Sequence, residues 1–190
     1  MAWFDVKFDP RPIANLADAL AATGKRLPAA QALVINRVVT RTRPKVVAAV
    51  AQQTGLYGKI ISKAVRTLRA SAKNPRAGLV SRGGEIGLRY FKAREEGGGV
   101  SADVAGDHLR VPGGFRRSGL TTRRMSPKLN KQVFINVEGG KFGGKIQKVG
   151  SGVFIPLKMI DGEAREAFEA TVASELPTEI SEELAKVLPR

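Results

Sequence analysis

The run of this chain that most resembles chemical machinery is Gly139-Gly140-Lys141-Phe142-Gly143-Gly144-Lys145. Its glycines and lysine are spaced as in a phosphate-binding loop, and the strand-like VFINV precedes it. The match fails at two points. Position 146 is Ile, so no hydroxyl is placed for magnesium, and KIQKVGSG cannot supply the helix N-terminus that cradles phosphates. A glycine-rich hairpin turn is the expected structure. His108 stands between Asp107 and Leu109 with Asp103 close by, a pair with no nucleophile or metal to serve. None of the serines has the G-x-S-x-G context of a nucleophile elbow. There is no cysteine, which excludes a thiol nucleophile, a disulfide scaffold and a Cys-ligated metal. One histidine excludes a multi-histidine metal site. The expectation is a protein without catalytic, cofactor-binding or metal-binding residues.

The charged residues are better organised. Of the net +15, residues 25–131 hold 23 bases and 5 acids, while residues 161–190 hold 3 bases and 8 acids. A field of that sign attracts polyanions, and the acidic end offers a match within an assembly. Arg37, Arg41 and Lys45 recur every four residues, and Lys59, Lys63 and Arg66 repeat the pattern further on. Such stripes suit a phosphate backbone or a neighbouring subunit, with binding that weakens as salt rises. Arg116-Arg117 and Arg123-Arg124 add basic pairs within a polar stretch. No zinc finger, RNA-recognition aromatic signature or clear helix-turn-helix accompanies them, so any contact with nucleic acid would be sequence-independent.

These residues need elements to position them, and 190 residues suffice for one domain with a real core. Phe4, Val6 and Phe8 alternate with polar residues as a short strand would. Ile13, Leu16, Ala17 and Leu20 fit a helix ended by Gly24. A longer helix starts near Pro28, with Pro44 expected to kink or end it and Gly55 closing the alanine-rich run beyond that proline. A further amphipathic helix is expected from Leu56, through Ile60, Ile61, Ala64, Val65 and Leu68, to Asn74-Pro75. Beyond it, RAGLVSR, EIGLRYFK, HLRVPGGF, QVFINVEGG and GVFIPLKM read as antiparallel strands. Residues 94–106 and 116–131 between them read as flexible loops. The last thirty residues are helical, with an expected break at Pro177. The class is α+β in one domain: residues 1–74 mainly helical, 75–160 mainly strand, and 161–190 a closing helix pair. The start lacks the uninterrupted apolar segment of a signal peptide, and no stretch approaches a membrane span. A soluble protein made in a cytoplasm is expected.

The helical ALVINR at 32–37, Lys73-Asn74-Pro75 and Arg110-Val111-Pro112-Gly113-Gly114-Phe115 together resemble the minor tail protein Z family of tailed phages. Ile155-Pro156-Leu157, and Leu176-Pro177 with Glu179, fit the same ordered pattern over nearly the whole chain. The resemblance implies a structural virion protein, not an enzyme, that completes the tail at its head-proximal end. Its implied partners are copies of itself in a ring, by tail symmetry a hexamer, together with the tail terminator, the tail tube and the head-to-tail connector. Contact with genomic duplex DNA in the channel is also implied, and contact with membrane is not. Ile35, Asn36, Arg37, Pro112, Phe115 and Pro156 would be scaffold residues. The acidic end departs from the basic C-terminal segment of the family. Glu179, Glu182 and Glu183 are therefore expected to pack on the basic middle of an adjacent subunit.

Overall fold

The computed structural model describes residues 4–5, 27–116, 130–139 and 144–187. Arg117, Arg123 and Arg124, and the helix expected at residues 13–20, lie outside them. The elements run in the order β1 (Phe4–Asp5), α1 (Leu27–Thr54), α2 (Gly58–Ala64), β2 (Val65–Leu68), β3 (Gly78–Ser81), β4 (Arg94–Glu96), β5 (Gly99–Val104), β6 (Asp107–Pro112), β7 (Phe134–Asn136), β8 (Ile146–Lys148), α3 (Ile155–Met159) and α4 (Gly162–Val187). This is the expected α+β class.

Two long helices form the spine. α1, about 42 Å long at 1.5 Å per residue, buries Ile35, Val38, Val39, Val46 and Val50, a helical repeat that continues on both sides of Pro44. The expected end at Pro44 does not occur. The proline removes one backbone donor, which leaves the carbonyl of Thr40 unpaired within the helix. Thr40 and Pro44 are both exposed, so water can serve that carbonyl while the valines hold the flanking turns in the core. Gly55 then caps α1 in a left-handed conformation (φ +70°), donating to the Ala51 carbonyl at 2.9 Å. Pro177 behaves like Pro44: it is exposed and does not divide α4, whose Ala164, Phe168 and Leu176 are buried. The closing pair is therefore α3 and α4, and not two halves separated at Pro177.

The helix expected over residues 56–74 stops at Ala64. Val65–Leu68 instead forms β2, pairing with β3 from Val65 opposite Ser81 to Leu68 opposite Gly78. Val65 is buried either way, so the helical spacing of apolar residues does not separate the two outcomes; the waiting partner strand does. β3 also pairs with β1, giving the antiparallel order β1-β3-β2. A tight turn comes after β2, in which Ser71 and Asn74 exchange backbone hydrogen bonds at 2.8 and 3.0 Å.

The segment at 94–106, expected to be a flexible loop, is ordered strand. β4, β5 and β6 form a meander whose two-residue turns, Gly97-Gly98 and Ala105-Gly106, all have positive φ, the geometry that suits the twist of a hairpin. Val100, Ala102 and Val104 alternate into the core. Two expected strands are absent. EIGLRYFK forms a 3-10 turn at Leu88–Tyr90 that buries Leu88 and Phe91, and in GVFIPLKM the proline opens α3. β7 and β8 make a separate hairpin, tied to the end of the meander by reciprocal backbone bonds between Phe115 and Phe134 at 2.9 and 3.0 Å.

Candidate nucleic-acid interface

Since neither proline breaks its helix, the four-residue spacing of Arg37, Arg41 and Lys45 does place them on one stripe of α1. A matching stripe, Glu175, Glu179 and Glu183, runs along α4, and the two lie against each other. Arg37 Nη1 reaches Glu183 Oε2 at 3.0 Å and Glu179 Oε2 at 3.3 Å. Arg41 spans the next step, with Nη1 at 2.7 Å from Glu175 Oε2 and Nη2 at 2.6 Å from Glu179 Oε1. Lys45 closes one end on Glu175 at 3.8 Å, and Lys186 the other on Glu183 at 3.4 Å. Glu179 is the keystone, its side chain 1% exposed between guanidinium groups that are 38% and 50% exposed. Its Oε1 is held by charge proximity and lacks a well-angled hydrogen bond.

The ladder tunes its members. The hydrogen bond from Arg41 holds the Glu175 carboxyl below the ordinary carboxylate range, burial opposes this, and the charges of Arg41 and Lys45 reinforce it. Arg41 is raised in turn, first by the hydrogen bond to Glu175 and then by the charge of Glu179. The expectation of Glu179 at a subunit surface is thus corrected: it is buried inside its own chain, and Glu183 is engaged there with it. Glu182 alone of that acidic trio is exposed and unpaired among the described residues. The basic stripe on α1 likewise has its charge matched within the chain.

The second basic stripe is not a stripe. Lys59 and Lys63 lie on α2, while Arg66 lies on β2, because the helix ends between them. All three are exposed. Lys63 and Arg66 instead meet Arg43 of α1 and Arg69, just past β2, around a cleft of about 430 Å³. Arg43 is anchored there, one guanidinium nitrogen donating to the Ser62 carbonyl at 2.8 Å, to Ser62 Oγ at 3.2 Å and to the Val65 carbonyl at 3.2 Å. Sequence reasoning misses Arg43 and Arg69, although both belong to the same basic stretch. It also misses Glu175, for which the four-residue spacing from Glu179 and Glu183 is the available signal.

Arg116 is a structural tie: its backbone N–H donates to Glu95 at 3.0 Å, and its guanidinium to the carbonyls of Lys131 and Ala93. The remainder of the 116–131 loop up to residue 129 lies outside the described residues. His108 Nδ1 and Asp103 Oδ1 are 2.9 Å apart as cross-strand neighbours, both more than 60% exposed. Around the glycine-rich run, Val137 pairs with Lys145 and the chain continues into β8, so a strand stands where a phosphate loop needs a helix. The Lys145 N–H is taken by the Glu138 carboxylate at 2.9 Å. Among the described residues no group of three or more acids or histidines could hold a metal ion, and no helix is long and apolar enough to cross a membrane. Neither a family model, nor a curated protein, nor a solved structure matches this chain.

Proposed function

We propose that this chain is a structural, non-enzymatic protein of a tailed-phage virion that completes the tail at its head-proximal end. In this reading it works as a ring of copies, six by tail symmetry, between the tail terminator and tube on one side and the head-to-tail connector on the other. The observation that supports it is where five of the six expected scaffold residues lie: Ile35, Asn36, Arg37, Phe115 and Pro156 are joints of the framework, whereas Pro112 is exposed at the end of β6. Asn36 clamps Ala70, donating to its carbonyl at 3.0 Å and accepting from its N–H at 2.8 Å. Ile35 is buried, Arg37 carries the ladder, Phe115 couples two sheets, and Pro156 is buried at the start of α3. A subunit of a load-bearing ring needs such joints, and it needs surfaces for neighbours. The edge strand β6 exposes Leu109, and the hairpin of β7 and β8 exposes Val137 and Ile146.

Deleting the gene and complementing it in trans tests the reading. Lysates lacking the chain should accumulate filled heads and unjoined tails by electron microscopy, and complementation should restore joined particles. Normal particles without the chain would refute it. A second reading, a free sequence-independent nucleic-acid-binding protein, is favoured by the unmatched cations around the cleft of Arg43.

A further inference from the structure

Residues 19–84 contain no Asp or Glu. Within that stretch the fold gathers two sets of cations. Those on the outer stripe of α1 are neutralised by α4, whereas Lys63, Arg66 and Arg69 make no hydrogen bond or ion pair among the described residues. These three and Arg43 converge on one cleft, with the hydroxyl residues Ser62 and Thr67 beside them and no carboxylate in its walls. Like charges gathered without a counter-charge repel one another, and a folded chain that retains them gains by placing an anion there. Arg43 is fixed by its bonds to Ser62 and Val65 through one nitrogen, so the rest of its guanidinium fork is pre-set for an oxyanion.

We infer that this cleft binds backbone phosphates of duplex DNA. Arginine, lysine and Ser/Thr hydroxyls are the groups that contact phosphate oxygens, and they do so without reading sequence. No aromatic residue lines the cleft, so it lacks the stacking platform that single strands use. A second hollow shares Thr40 and Arg69 with it and runs along α1, which extends the path a backbone could take. The inference rests on the contact with duplex DNA that the resemblance implies, yet it and the tail reading fail separately, because particle joining tests one and binding by the purified protein tests the other.

The test uses the full chain and a short duplex of mixed sequence, with fluorescence anisotropy between about 50 and 200 mM salt. The variant K63Q/R66Q/R69Q removes three exposed, unpartnered cations, so its circular dichroism should match the parent and its melting temperature should be no lower. Its affinity at low salt should fall at least roughly tenfold, and the salt slope should drop by about two to three, near 0.9 for each phosphate no longer neutralised. K92Q/R94Q/K148Q removes the same charge from exposed positions in or just before the sheets and should leave both almost unchanged. Equal losses in the two triple variants would overturn the site in favour of a diffuse field. Displacement of the duplex by polyglutamate at matched charge, or tighter binding of the single strand, would overturn the choice of ligand.

Discussion

Replacing Glu179 by Gln keeps the side-chain volume and removes the charge at the centre of the ladder. Cutting one partner out of a fully buried ion pair costs about 3–5 kcal/mol, because the other charge is left unpaired in a poor solvent. Here the partners are 38% and 50% exposed, so water can take up Arg37 and Arg41 once the carboxylate is gone. That reduces the expected cost to about 1–3 kcal/mol. With a urea m-value of about 2 kcal/mol/M, the unfolding midpoint monitored by circular dichroism should fall by roughly 0.5–1.5 M. E175Q removes a carboxylate that is 26% exposed and should lower the midpoint less than E179Q does. The triple change R37M/R41M/E179L replaces the charged centre by apolar volume and should recover most of the loss. A midpoint for E179Q no lower than that for E175Q would refute the idea that burial of Glu179 makes it the keystone.

The same geometry sets three other outcomes. Asn36→Ala leaves the Ala70 N–H and carbonyl without their partners and should cost about 1–3 kcal/mol by denaturant unfolding, whereas a surface Asn→Ala change would cost little. Gly99→Ala would bring a Cβ to 2.6 Å from the Val111 carbonyl oxygen across β5 and β6, a backbone clash that should destabilise by about 1–3 kcal/mol, read as a lowered melting temperature. The Glu175 carboxyl is more acidic in the fold than in the unfolded chain, so its contribution is complete above about pH 4.5 and disappears as pH falls through the lowered folded value. Acid titration should therefore show the parent losing stability more steeply than E175Q, and parallel curves would contradict the assignment.

How far the residues disclose the fold depends on whether an element is fixed locally. α1 and α4 are legible because their apolar spacing persists for many turns, and the α+β class is visible in the change of character after Pro75. The two expected helix breaks fail for one reason: Pro44 and Pro177 are exposed, where a lost backbone bond is cheap and the packed valines or leucine on either side decide. β2 is hidden because Ile61, Val65 and Leu68 satisfy a helical repeat as well as a strand, and only the pairing with β3 separates them. The glycines of 94–106 suggest a loop, although Gly97-Gly98 is the turn and Val100, Ala102 and Val104 are the strand. At the site, the two charged stripes are each visible, but their mutual pairing is tertiary: Arg37 and Glu179 are 142 residues apart. That pairing moves Glu179 from the surface to the interior and leaves Glu182→Lys as the acidic-end change able to probe a neighbour without breaking the ladder. The cleft is illegible for the same reason, since Arg43 and Arg66 meet only after β2 replaces the expected helix.

Quantitative mass spectrometry of nuclease-treated, density-purified tailed particles from the source strain tests the tail-completion reading most directly. The chain should be present at a few copies per particle, matching the terminator ring. Its absence from particles, with the protein recovered on nucleic acid in the lysate, would contradict that reading.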